Sequence, residues 1–242
     1  MRLDLFLSEG GLVDSRTDAK NFILSGAVCV NGKVVKKPAF DVSDGDDIQV
    51  DKSGKKFVSR GGLKLEAALD LFDVNVNGLL ALDVGASSGG FTDCLLKRGA
   101  SRVIAVDSGY GQMVESLRMD NRVTVVENFN ARYMSPGDFE YTPNIAVMDV
   151  SFISAKLIIP AVAAVLAEDG IFICLIKPQF EVGRSGLNKK GIVKSDALRN
   201  GAVKEVTEFA ICCGFDLIGL IESPVIGGDG NIEFLAYFKK VK

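Results

Sequence analysis

One segment of the chain carries residue types that bind a charged nucleoside. The segment D-V-G-A-S-S-G-G-F at 83–91 follows an apolar run and precedes a helical pattern, where an α/β sheet binds nucleotides. Its glycine spacing differs from G-x-G-x-x-G, and Asp83 would repel a pyrophosphate but pair with a cationic amino group. The next strand ends in Asp107, the position from which a carboxylate binds ribose hydroxyls. These features predict a site for S-adenosyl-L-methionine, with contacts from Asp83, Gly85, Ala86, Ser87, Gly89, Gly90, Phe91, Asp107, Asn130 and Asp149.

Other charged residues lie at the ends of neighbouring predicted strands. Asp149 ends one apolar run, and Lys177 directly follows another. Because the carboxyl ends of parallel strands meet at one edge of a sheet, both side chains should face the cofactor crevice. Glu233 begins a strand of opposite direction, which starts at that edge, and Lys64 reaches the edge from the preceding helix. Two lysines and two acids would then face the methyl donor.

The hydrophobic pattern provides a sheet that brings these residues together. From residue 61 onward, apolar runs alternate with helical patterns, which predicts a doubly wound α/β sheet. The predicted strands are 79–84, 103–107, 123–127, 145–150, 171–176, 217–222 and 233–238, and the predicted helices are 89–98, 112–119, 155–167 and 196–212. The last two strands are joined by a short loop, so they should pair antiparallel, with the reversed strand at the edge. We expect a Rossmann-like, mostly parallel, seven-stranded methyltransferase sheet over residues 61–242.

The first part of the chain predicts a separate, smaller unit. A short apolar helix ends at Gly10, and Ser15 is the capping residue of a second helix. The pair Asn31-Gly32, flanked by alternating residues, is a strong hairpin signal. We expect an α+β domain over residues 1–58, with a polar, glycine-containing linker at about 51–60.

Composition excludes several classes of protein. The 242 residues contain no histidine, which excludes Ser-His-Asp triads and zinc sites built on imidazole. The five cysteines form no C-x-x-C pair, which predicts reduced thiols in a cytoplasmic protein. The net charge of −3 gives no general attraction to nucleic acid, so an RNA site must be a local basic patch. The apolar stretches are too short to span a bilayer, so no membrane partner is expected. No repeat indicates an oligomeric state.

The first domain resembles an S4 RNA-binding domain. The resemblance rests on R-L-D at 2–4, S-R at 15–16 and G-A-V-x-V-N-G-K at 26–33. In that family the second helix and the hairpin bind the RNA backbone. A basic cluster on one small face releases counterions on binding phosphate, even in an acidic protein. The resemblance implies RNA contacts for Arg2, Arg16, Lys20, Lys33, Lys36, Lys37 and, in the linker, Arg60.

The second domain carries four charged residues whose order is similar to the K-D-K-E tetrad of FtsJ-like RNA ribose 2′-O-methyltransferases. They are Lys64 in S-R-G-G-L-K-L, Asp149 in D-V-S-F-I, Lys177 in I-K-P-Q-F-E and Glu233 in G-N-I-E-F-L. With an S4-like domain in front, the whole chain resembles the TlyA family, whose members are named hemolysins and rRNA methyltransferases. The resemblance spans nearly all 242 residues and includes D-S-G-Y-G-Q and E-N-F-N-A-R.

The resemblance implies methylation of a ribose 2′-hydroxyl, of cytidine, in ribosomal RNA or ribosomal subunits. A ribose hydroxyl is a poor nucleophile at neutral pH, so the protein must place it in line and assist loss of its proton. We expect Lys177 to be the base, because a desolvated lysine gives up its own proton more readily. Asp149 and Glu233 would orient Lys177, and Lys64 would hold the target phosphate or ribose. No metal is expected.

Structural interpretations of the same residues stay open. Each tetrad member has one: a surface lysine for Lys64, a strand-loop cap for Asp149, an ordinary loop residue for Lys177 and an edge-strand guard against aggregation for Glu233. Asn130 either caps a turn or contacts adenine. The glycine-rich basic loop 181–194 is either a plain exposed loop or a lid over RNA.

Four other functions compete with ribose methylation. A base methyltransferase usually has an Asn/Asp-Pro-Pro-aromatic run where this chain has Asp149-Val-Ser-Phe152. A pseudouridine synthase with an S4 domain would not explain the segment 83–91. A hemolysin would need an amphipathic helix or an inserting hairpin, but the apolar segments are used as core. A catalytically silent ribosome-binding protein is disfavoured by the intact tetrad.

Overall fold

The computed structural model describes residues 1–13, 15–51, 56–227 and 229–241. The chain divides into two units, Met1–Lys56 and Phe57–Lys242. Residues 52–55 of the predicted linker lie outside the described residues.

The first unit contains two helices and a small antiparallel sheet. The helices are α1 (Leu3–Glu9) and α2 (Arg16–Ser25), and the strands are β1 (Val28–Val30), β2 (Lys33–Val34) and β3 (Ile48–Val50), in the order β2-β1-β3. The Ser15 side chain accepts a hydrogen bond from the Asp18 amide, as expected of a capping residue. Asn31 and Gly32 both have positive φ angles, 51° and 73°, as a tight hairpin turn requires. The predicted helix-hairpin unit is therefore confirmed.

The second unit alternates helices and strands as expected. Its helices are α3 (Arg60–Leu71), α4 (Gly90–Lys97), α5 (Glu115–Arg118), α6 (Ile159–Val165) and α7 (Asp196–Cys212). Its strands are β4 (Leu80–Val84), β5 (Arg102–Val106), β6 (Val123–Val126), β7 (Ile145–Met148), β8 (Ile171–Ile176), β9 (Phe215–Glu222) and β10 (Phe234–Lys240). In the part of the chain that the structure describes, no helix combines the length and the apolar character needed to cross a membrane.

Two predicted helices are shorter than expected, each for a local reason. The segment 112–119 is helical only in α5, because the backbone of Val114 is extended, with a φ of −63° and a ψ of 144°. The segment 155–167 starts as a 3₁₀ turn, Ala155–Leu157, before α6. Pro160 lies in the first turn of α6, where proline is tolerated because that amide needs no helical partner.

The large sheet confirms the predicted architecture except for the position of the reversed strand. Its order is β6-β5-β4-β7-β8-β10-β9, and β10 is antiparallel to both β8 and β9. The prediction that the reversed strand forms the edge is therefore wrong. The physical reason is burial: β10 carries the fully buried Leu235, Ala236 and Phe238, whereas most of β9 is exposed or half-buried, as suits an edge.

Apolar side chains cover both faces of this sheet. Leu82 and Val84 pack in a core with α6 and α7. Their strand neighbour Ala81 faces the opposite side of the sheet and packs in a core with α3 and α4. Because both faces are buried, polar chemistry is confined to the ends of the strands. The carboxyl ends of β4, β5, β7 and β8 are therefore where the functional side chains lie.

Candidate active site

The loop after β4 is pressed against the end of β7. Gly85 has a φ of +83°, and a Cβ atom there would lie 2.5 Å from the Asp149 carbonyl oxygen, so only glycine fits. The amides of Gly85 and Ala86 donate to the Val106 carbonyl at 2.9 and 3.1 Å, which ties the loop to β5. Gly89, with a φ of +95°, precedes the first residue of α4. The loop thus brings its backbone close to the carboxyl ends of three strands.

A cavity of about 360 Å³ opens at this edge of the sheet, a size typical of small-molecule sites. Five residues predicted to contact the cofactor line it: Gly85, Ser87, Asp107, Asn130 and Asp149. The other five, Asp83, Ala86, Gly89, Gly90 and Phe91, lie outside this lining as the described residues define it. Phe91 is a buried core residue of α4, and Gly89 and Gly90 let α4 approach its neighbours closely.

Asp107 holds the cavity wall in place. Its Oδ2 accepts a hydrogen bond from the Ser87 amide at 2.8 Å, and its Oδ1 accepts one from the Gly109 amide at 2.7 Å. A carboxylate has about four acceptor positions, so Asp107 can still accept from ligand hydroxyls. Asn130 accepts a hydrogen bond from the Arg132 amide as a cap and also lines the cavity, so its contact with adenine stays a prediction.

Asp83 is a completely buried carboxyl with one unsatisfied oxygen. Its Oδ2 accepts a hydrogen bond from Thr92 Oγ1 at 2.7 Å, whereas its Oδ1 has no hydrogen-bond partner among the described residues. Burial is the main cause that raises the pKa of Asp83 to about 7, and the nearby carboxylates Asp149 and Asp107 contribute in the same direction. An orphaned buried acceptor beside two cavity-lining acids fits the cationic amino group of S-adenosylmethionine.

The four tetrad residues form two ion pairs. Lys177 Nζ lies 2.5 Å from Asp149 Oδ1 and donates a hydrogen bond to Ser151 Oγ at 2.8 Å. Lys64 Nζ lies 2.5 Å from Glu233 Oε2. In the register of β8 and β10, Phe234 lies opposite Ile176. The next positions outward are therefore Glu233 and Lys177, which makes the two ion pairs neighbours at the carboxyl ends of the parallel strands.

The second ion pair differs from the predicted arrangement. Glu233 was expected to orient Lys177, but it contacts Lys64 and accepts a hydrogen bond from Gln179 Nε2 at 3.2 Å. Lys64 is 8% exposed, so it is not a surface lysine. Glu233 is 3% exposed and precedes an internal strand, so it does not guard a sheet edge.

Comparison with known proteins now adds to this geometry. The model of the FtsJ-like methyltransferase family matches residues 57–240, and the model of the S4 domain matches residues 1–48. The chain belongs to the FtsJ-like methyltransferase family. The resemblance inferred from the sequence motifs is thereby confirmed, and so is the methyltransferase fold.

Relatives of this FtsJ-like chain carry two kinds of name. The 16S/23S rRNA (cytidine-2′-O)-methyltransferase TlyA of Mycobacterium tuberculosis is 40% identical over 239 residues, 98% of this chain and 89% of the relative. Hemolysin A of Brachyspira hyodysenteriae is 44% identical over 239 residues, 98% of this chain and 99% of the relative. The solved structure named "Putative hemolysin from Streptococcus thermophilus" is 43% identical, with a TM-score of 0.81 over 100% of this chain and 89% of that chain.

The FtsJ-like domain contains site residues that the sequence reasoning did not assign. Ser151 and Gln179 contact the two ion pairs, and Thr92 binds Asp83. Phe152 lines the cavity, is 91% exposed and contacts the ring of Phe180, with centroids 5.2 Å apart. Ser151, Phe152 and Gln179 lie inside the motifs quoted for the tetrad, so spacing relative to Asp149 and Lys177 was the available signal.

The S4 domain organises two of its predicted RNA-contacting residues around one acid. Asp4 is fully buried and accepts hydrogen bonds from Arg2 Nε at 2.9 Å and from Arg16 Nε at 3.1 Å. The hydrogen bond from Arg2 is the main cause that lowers the pKa of Asp4 to about 2. Both arginines remain exposed, as do Lys20, Lys33, Lys36 and Lys37 of this domain and Arg60 of the FtsJ-like domain.

Proposed function

We propose that this chain transfers a methyl group from S-adenosylmethionine to the 2′-hydroxyl of a cytidine in ribosomal RNA. The observation that carries the proposal is the Lys177–Asp149 ion pair, whose carboxylate lines the same cavity as Asp107. The M. tuberculosis relative, named as a cytidine-2′-O-methyltransferase, supports the reaction and the substrate. The S4 domain supports RNA binding. Ribosomal substrates are cytoplasmic, so we assign the activity to the cytoplasm.

The residues of the cavity are suited to the cofactor. We assign the cationic amino group to Asp83, the ribose hydroxyls to Asp107, and the adenine end to Asn130. Gly85 and Ser87 would contact the cofactor through their backbone, since both line the cavity. When bound, S-adenosylmethionine supplies an electrophilic methyl group on its sulfonium sulfur.

Lys177 is the residue we assign to the target hydroxyl. Its Nζ is fixed between Asp149 and Ser151, which lets it orient the 2′-oxygen and receive the hydroxyl proton as that oxygen is methylated. Only the neutral amine can accept this proton.

Lys64 and Glu233 have a positioning role in this proposal. Their charges are paired in a nearly solvent-free place, and Gln179 satisfies the second oxygen of Glu233. A pair satisfied in this way holds α3, where Lys64 lies, against the start of β10. The pair thereby fixes the start of β10, which lies beside Lys177 at the end of β8.

The test is methyl transfer from labelled S-adenosylmethionine to ribosomal subunits that lack the modification. A 2′-O-methyl group blocks alkaline cleavage, because the 2′-oxygen can no longer attack the phosphate. We expect the label in a cytidine dinucleotide that resists alkali. Label on a base, or no label in RNA despite cofactor binding, would contradict the proposed function.

A further inference from the structure

A short basic hairpin lies in the loop that follows the tetrad lysine. Residues 187–193, here called the basic hairpin, are closed by a bridge between Leu187 and Val193 and by a hydrogen bond from the Asn188 amide to the Ile192 carbonyl at 2.8 Å. Lys189 and Lys190 occupy its exposed tip. The sequence L-N-K-K-G-I-V contains no acid, so the hairpin carries two positive charges.

A buried asparagine fixes the basic hairpin near the tetrad. Asn231 is 2% exposed, its Nδ2 donates to the Gly191 carbonyl at 3.0 Å, and its Oδ1 accepts from the Val193 amide at 3.1 Å. Asn231 precedes Glu233 by two residues, a span of at most about 7 Å. The hairpin is therefore anchored at the Lys64–Glu233 end of the tetrad, with its lysines facing solvent.

The charges of this hairpin differ from most of those elsewhere in the FtsJ-like domain. Most lysines and arginines of that domain form ion pairs with carboxylates, namely Lys64, Lys97, Arg98, Arg102, Arg118, Arg122, Lys156, Lys177, Arg199, Lys204 and Lys240. Across the described ranges, neither Lys189 nor Lys190 forms such a pair. Two unpaired cations on a rigid support form a local positive surface that the net charge of −3 conceals.

We propose that the basic hairpin binds the phosphodiester backbone of the RNA next to the target nucleotide. The inference rests on the proposed function and adds a substrate contact to it. Lysine ammonium groups are compact point charges that bind phosphate without base specificity. The hairpin thus positions the RNA strand at the tetrad, and the loop 181–194 acts as a fixed support rather than as a lid.

The test compares two doubly substituted proteins of equal net charge. The first carries Lys189→Gln and Lys190→Gln; the control carries Lys204→Gln and Lys239→Gln, at exposed sites outside the hairpin. KM for unmethylated ribosomal subunits and kcat are measured at several salt concentrations. We expect the hairpin variant to raise KM about tenfold and to reduce the slope of log KM against log salt by about 1.4 to 1.8. Its kcat and the control should match the wild type.

The outcomes separate this inference from the proposed function. An unchanged KM and salt slope in the hairpin variant, or a lower kcat at constant KM, would overturn the hairpin contact while leaving methyl transfer intact. If the wild-type protein labels no RNA, the proposed function fails. Filter binding of the same subunits by the two variants then decides the hairpin contact independently, since equal affinities would overturn it.

Discussion

The two ion pairs of the tetrad have the same nitrogen–oxygen distance but different surroundings. Glu233 has a partner on each oxygen, Lys64 on one and Gln179 on the other, and its side chain is almost fully buried. Asp149 lines the cavity, and its Oδ1 contacts Lys177 as an ion pair without a hydrogen bond among the described residues. Glu233 is enclosed by protein groups, whereas Asp149 borders the cavity, so the Lys177–Asp149 pair marks the side where a ligand would bind.

The largest effect should come from breaking the satisfied pair. Glu233→Ala leaves the Lys64 ammonium buried without its partner, and we expect a loss of about 3–5 kcal/mol in the free energy of unfolding. The double variant Lys64→Met with Glu233→Leu should regain most of this loss, because no unpaired charge remains. Urea denaturation of the three proteins measures it. A loss below about 1 kcal/mol in Glu233→Ala would mean that the pair is solvated like a surface salt bridge.

The next effect concerns the buried carboxyl of Asp83. The pKa of Asp83 is raised to about 7, so its carboxyl is mostly protonated below that pH and ionised above it. A cationic amino group pairs only with the ionised form, so affinity for S-adenosylhomocysteine should fall about tenfold between about pH 8 and pH 6. Titration calorimetry measures this affinity.

Asp83→Asn supplies the control for that pH dependence. The amide does not titrate, so the variant should bind S-adenosylhomocysteine more weakly at the higher pH and with little change between the two. A wild-type affinity that is flat over this range would show that Asp83 does not contact the amino group.

The smallest expected effect concerns Asp4 of the S4 domain, whose carboxylate accepts hydrogen bonds from two arginines. Asp4→Asn weakens the hydrogen bonds that hold Arg2 and Arg16, so we expect about a fivefold loss in affinity for ribosomal RNA. Asp44→Asn, an exposed change of equal charge in the same unit, is the matched control and should not weaken binding. Filter binding well below the unfolding temperature measures both. Equal affinity of the two variants would remove Asp4 from RNA binding.

Titration of Asp4 should not change the affinity of the wild-type protein for RNA above about pH 4. Its pKa is held at about 2, mainly by Arg2, so the carboxylate stays ionised over that range. A loss of affinity between about pH 6 and pH 5 that disappears in Asp4→Asn would contradict this expectation.

Much of the fold could be predicted because it depends on local patterns. The runs that became β7 and β8 are apolar throughout, and those that became β4 and β5 are apolar except for Asp83 and Arg102, as suits strands covered on both faces. The polar residues at their ends followed from the topology of parallel sheets. The insertion of β10 between β8 and β9 could not be predicted, because short-loop pairing of β10 with β9 is the same at an edge and in the interior.

The pairing of charged residues within the site also could not be predicted from the sequence. Which lysine pairs with which acid depends on side-chain reach across strands, and spacing also does not show that Gln179 donates to the second oxygen of Glu233. Phe91 follows the glycine loop as a ligand-contacting residue would, yet the turn of α4 directs it into the core. Spacing alone does not distinguish these orientations.

The most direct test of the account is the single-turnover rate of 2′-O-methyl transfer by Lys177→Gln. The substrate is unmethylated ribosomal subunits, and affinity for S-adenosylhomocysteine is measured in parallel. We predict a rate about 10²- to 10⁴-fold below that of the wild type, with cofactor affinity unchanged. A rate within about threefold of the wild type would contradict the assignment of the target hydroxyl to Lys177.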